Sequence, residues 1–63
     1  MQMNTQTKTA TYTYRFRDVA LALSFRDRCL RLMRAVLGDD ERVWVVTPAE
    51  AARLERQGYE VIA

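Results

Sequence analysis

The side chains able to do chemistry in this sequence are few, and their types exclude more than they support. The chain of 63 residues contains no histidine and a single cysteine, Cys29. Neither a Cys/His zinc set nor a disulfide can be assembled from it. Asp39, Asp40 and Glu41 are the one run of carboxylates. A hard cation held by protein needs about six to eight oxygen ligands, and nothing in the pattern supplies the rest of such a cage, so the run reads as a solvated turn. No serine stands at a recognisable spacing from a base. The two glycines, Gly38 and Gly58, are isolated, which removes a phosphate-cradling loop. Cys29 lies one helical turn from both Phe25 and Met33 and reads as a small buried hydrophobe rather than a reactive thiol. The expectation is a protein that is not an enzyme and has no cofactor or metal site.

Charge is the more informative chemistry. Nine of the ten basic residues are arginines, and the formal charge of +2 conceals an asymmetry. Residues 1–37 carry seven basic and two acidic side chains, a balance of +5; residues 38–63 carry three and six, a balance of −3. Such polarity can drive head-to-tail or two-fold pairing of charges. The arginines also define a nucleic-acid reading, with Arg15, Arg17, Arg28, Arg31 and Arg34 as phosphate contacts. A sheet that binds RNA displays aromatics on its open face. Here Tyr12, Tyr14 and Phe16 have the opposite parity from Arg15 and Arg17, so they belong to a core, and nucleic acid is the rival reading rather than the leading one.

These residues must be held by elements that the pattern outlines. Residues 1–9 are polar and read as a flexible tail, leaving residues 10–63 as one domain. Strict alternation from Ala10 to Arg17 predicts a half-buried strand with the aromatics inward. Asp18 is placed to cap a helix over Val19–Leu37, ended by Gly38. Arg42–Val46 is apolar on both parities, as in a strand covered on both faces. Thr47-Pro48-Ala49-Glu50 combines an N-cap threonine, a first-turn proline and a capping-box glutamate, and opens a second helix to about Gln57. Gly58 stops it before a last strand, Tyr59–Ile62. The predicted fold is a small α/β domain of order β-α-β-α-β, a three-stranded sheet with two helices on one face and the other face bare. In general style the chain resembles the short α/β proteins of bacterial and mobile-element genomes, and no motif is specific enough to carry a function over.

On a helical wheel the Val19–Leu37 segment has an apolar arc of about 200°, roughly twice what seats a surface helix. Arg26 projects inside that arc, with no acid among its i±3 and i±4 neighbours. It must reach solvent along its stem or meet a distant acid among Asp39, Asp40, Glu41 and Glu60, on the same chain or on a second copy. A chain this short hides only about 60% of its unfolded surface, and no disulfide or metal is available to reinforce it. Association is therefore the leading expectation: a non-catalytic protein-interaction module, most simply a homodimer or a complex with another protein. Its candidate interface is Leu21, Phe25, Arg26, Leu32 and Trp44. A monomeric structural domain is the remaining alternative. With no apolar run of membrane-spanning length and no signal-peptide pattern, no membrane partner is expected, and one unpaired cysteine fits a cytoplasmic setting.

Overall fold

The computed structural model describes residues 13–63; the expected polar tail, the first half of the expected strand and Tyr12 lie outside them. Six elements follow in the order β1 (Tyr14–Phe16), α1 (Val19–Arg28), β2 (Arg34–Leu37), β3 (Val43–Val46), α2 (Pro48–Arg56) and β4 (Glu60–Val61). The strands form one antiparallel sheet in the spatial order β1-β3-β2-β4.

The β-α-β-α-β order with three strands is thus corrected to β-α-β-β-α-β with four. The helix expected over Val19–Leu37 ends at Arg28, and its last four residues, Arg34–Leu37, are β2. Apolar periodicity in Met33–Leu37 is compatible with either state, and intrinsic helix propensity is worth only a few tenths of a kcal/mol per residue. The strand wins by pairing with neighbours on both sides, β3 and β4, while Ala35 and Val36 become fully buried on opposite faces. Gly38 is accordingly not a helix stop. It starts the β2–β3 turn, where its N–H donates to the Arg42 carbonyl (2.8 Å). A Cβ placed on it would lie 2.3 Å from the Trp44 ring, so glycine is required there by the approach of the indole.

The local signals at the other helix boundaries hold. Asp18 accepts from the Leu21 N–H at 2.8 Å. Thr47 accepts from the Glu50 N–H at 3.2 Å. The Glu50 carboxylate does not reach back to complete the capping box, because both its oxygens are engaged by the Arg53 guanidinium. At the far end of α2, Tyr59 N–H bonds the Leu54 carbonyl and Gly58 N–H bonds that of Glu55. With Gly58 at φ 105°, this is the Schellman stop that glycine makes possible.

The extra strand also moves a helix. β1 and β2 run parallel with β3 between them; β3 and β4 run parallel with β2 between them. Both crossovers step the same way along the sheet from strands of opposite direction. Right-handed connections then put the two helices on opposite faces. Side-chain packing agrees: Ala22 of α1 packs with Ala35, Val43 and Val45, whereas Ala51 and Leu54 of α2 pack with Val36 and Val46. The prediction of both helices on one face and a bare opposite face is overturned, and each face has its own thin core. The expected parity holds for the face, since Tyr14 and Phe16 pair with Val45 and Val43 and their rings meet Phe25, but only Phe16 packs against the core and Tyr14 stays 41% exposed at the sheet edge.

Candidate interaction surface

Register sorts the chain's charges into two ends of the sheet. Arg34, the first residue of β2, pairs with Val46, the last of β3. One end therefore holds the C-terminus of α1, the loop Cys29–Met33, the start of β2 and the start of α2. Leu37 pairs with both Val43 and Glu60, so the other end holds the β2–β3 turn, the end of α2 and the start of β4. Arg26, Arg28, Arg31 and Arg34 cluster at the first, the loop end. Asp39, Asp40, Glu41 and Glu60 cluster at the second, the turn end. The asymmetry carries over into space in part: Arg17 and Arg42 also stand at the turn end, and Asp27 and Glu50 at the loop end.

The turn end is tied internally. Asp40 accepts from Trp44 Nε1 at 3.0 Å and from the Arg42 N–H at 3.1 Å. It also lies 3.5 Å from Arg15 Nε, whose guanidinium stands 5.1 Å from the Trp44 ring centroid. Tyr59 is centred 5.4 Å from the indole, and its hydroxyl donates to Asp39 at 3.1 Å. That bond, with the nearby negative charge, holds Tyr59 ionisation above the ordinary tyrosine range. The acidic run therefore has structural work as a set of acceptors for an aromatic and arginine cluster.

The loop end is different. Leu30 is 104% exposed and Leu32 74%, and Arg31 between them is exposed too. Among the described residues, none of the three makes a hydrogen bond or ion pair. Cys29, just before them, is half-buried, its N–H bonded to the Arg26 carbonyl and its thiol donating to the Phe25 carbonyl at 3.4 Å.

The predicted interface residues do not form one surface. Leu21 is half-exposed on α1. Phe25 is largely used inside, 4.9 Å from Tyr14 and 5.1 Å from Phe16 between ring centroids. Arg26 meets none of the four distant acids; it bonds the adjacent Asp27 at 3.1 Å with its side chain 28% exposed, the solvent-directed solution. Leu32 projects from the loop, and Trp44 lies on the α2 face within the turn-end cluster. The sequence reading passed over Leu30, because a helix through Leu37 sets it among buried neighbours. The predicted nucleic-acid residues are divided as well. Arg15 packs on Trp44, Arg28 bonds Ser24 Oγ at 2.6 Å, and Arg34 bonds the Ala63 carbonyl at 2.9 Å. Arg17 and Arg31 are exposed at opposite ends of the sheet.

No group of three or more metal-ligating side chains is assembled among the described residues, and no described helix is long and apolar enough to cross a membrane. The fold defines a small α/β domain with two interleaved crossovers on opposite faces of an antiparallel sheet. No family model, curated protein or solved structure matches the chain.

Proposed function

We propose that this chain is a non-catalytic protein-interaction module that associates with copies of itself, a homodimer being the smallest such assembly. The observation that supports this reading is the pair Leu30 and Leu32, projecting from a loop that uses neither side chain for its own packing. Burying a leucine contributes about 1.5–3 kcal/mol. Two of them rival the roughly 3–5 kcal/mol that a core of this size supplies. Val19 and Leu21, 43% and 52% exposed on α1, add apolar surface beyond what the sheet covers.

Sedimentation equilibrium from micromolar to millimolar concentration tests the reading. The expected result is a mean mass that rises with concentration; a constant 7.4 kDa throughout refutes it and leaves the monomeric structural domain. Nucleic acid is the weaker reading. Arg15 and Arg28 lie on opposite sides of the sheet, and Arg15 and Arg34 already have partners within the chain. Salt-dependent binding of random duplex or single-stranded oligonucleotides would restore it.

A further inference from the structure

We propose that the contact between copies is head-to-tail, with the Leu30-Arg31-Leu32 loop of one copy seated in the acidic depression at the turn end of the next. This rests on the self-association reading and specifies its geometry.

The depression lies between the β2–β3 turn and the end of α2. Its volume is about 440 Å³, and Leu37, Asp39, Gln57, Tyr59 and Glu60 are among its lining residues. Leu37 is a large apolar side chain left 38% exposed there, and Glu60, exposed, is its cross-strand partner on β4. An apolar floor bounded by carboxylates calls for an apolar knob that carries a cation. The loop at the opposite end of the same molecule has that composition: two exposed leucines with an arginine between them. Arg26, Arg28 and Arg34 stand near it with the single acid Asp27 among them, so the approaching surface carries a basic excess, whereas the lining of the depression holds two carboxylates and no cation. Opposite potentials of this kind guide encounter and fix register.

The two surfaces are at opposite ends of the sheet. A contact that joins them is heterologous, and each added copy offers a fresh depression to the next. The assembly therefore grows past two copies, and it weakens as salt screens the charges.

The test is a charge exchange between two exposed positions, neither of which holds the fold together: Arg31→Glu and Glu60→Arg. Circular dichroism and urea unfolding serve as the folding control. Each variant alone is expected to raise the midpoint concentration for association at least about tenfold. Arg31→Glu sets two acids against each other at the junction, and Glu60→Arg two bases. Mixed in equal amounts they regain wild-type association, because one junction is native and the other exchanged. In wild-type sedimentation the mass should pass twice 7.4 kDa. Association that is unchanged by Glu60→Arg, not rescued by mixing, or halted at two copies overturns the head-to-tail contact while self-association stands. If wild-type protein never associates, both readings fail together.

Discussion

At the turn end of the sheet, two of the carboxylates are tied to the fold: Asp39 bonds Tyr59, and Asp40 meets Trp44, Arg42 and Arg15. At the loop end, Leu30, Arg31 and Leu32 hold nothing. Both are short connections between elements of the same small sheet, so length does not explain the contrast. The turn joins two adjacent antiparallel strands, and its closure is enforced by their register. The α1–β2 loop has to carry the chain from one layer to another; its ends are anchored by Cys29 and the buried Met33, and the three residues between them are left projecting. Residues in such a position are available for contact with another molecule, whereas Asp39, Asp40 and Trp44 are committed to holding the turn and leave only Leu37 and Glu60 beside them open.

The largest expected effect breaks the tied end. Gly38→Ala drives a methyl group into the Trp44 indole and should cost about 1–3 kcal/mol, read as a lowered urea midpoint. Phe or Leu in place of Trp44 would remove the clash in that background and recover part of the loss. At the untied end the same scale of change should leave the fold alone. Leu30→Ser with Leu32→Ser is expected to shift folding stability by no more than about 0.5 kcal/mol. It should weaken self-association about tenfold or more per leucine. A large loss of stability in that variant would show that the loop is part of the fold after all.

Smaller effects sharpen the contrast. Glu41 adopts φ 65° within the turn, a conformation that costs a non-glycine residue roughly 1–2 kcal/mol. Glu41→Gly should therefore raise the unfolding midpoint modestly, despite the added freedom of the unfolded chain. The Tyr59–Asp39 bond makes a spectroscopic prediction. Asp39→Asn should bring one phenolate transition down toward the ordinary value near about 10. Because the folded value is the higher one, the associated stability is present below the unfolded tyrosine value and is lost as pH rises through the folded value.

The smallest effect concerns α2. Its Glu50 is held below the ordinary glutamate range, first by its hydrogen bond with Arg53 and then by that residue's charge. A lowered folded value means stability that is present above about pH 4.3 and lost as pH falls through the value in the fold. Glu50→Gln should flatten the acid limb of a plot of urea midpoint against pH. An unchanged limb would show that the Glu50–Arg53 pair contributes nothing to stability against acid.

The two helices show how far local pattern reaches. α2 was legible at both ends, since Thr47, Pro48 and Gly58 act on backbone groups within one turn and need no tertiary partner. α1 was legible at Asp18 for the same reason. Its end was not. Leu30–Leu37 has apolar spacing that suits a helix, and the competing signal, Gly38-Asp39-Asp40-Glu41 between two apolar runs, also reads as a hairpin turn. One misread boundary cost a strand and transferred α2 to the other face. The candidate surface suffered in proportion: it includes Leu32 but not Leu30, and it includes Trp44, which the fold covers within the α2-face cluster.

What the sequence determined by itself was the set of local commitments: the alternation that sets Tyr14 and Phe16 on one face, the caps at Asp18 and Thr47, the stop at Gly58, and the charge asymmetry between its two parts. Each depends on groups a few residues apart, whose geometry the backbone fixes. The tertiary structure alone decided that Arg34–Leu37 pairs rather than coils and that the helices take opposite faces. It also carried part of the charge asymmetry into space as a basic loop end and an acidic turn end. Those outcomes depend on hydrogen bonds and buried contacts between segments far apart in the chain, which outweigh a local helix preference of a few tenths of a kcal/mol per residue.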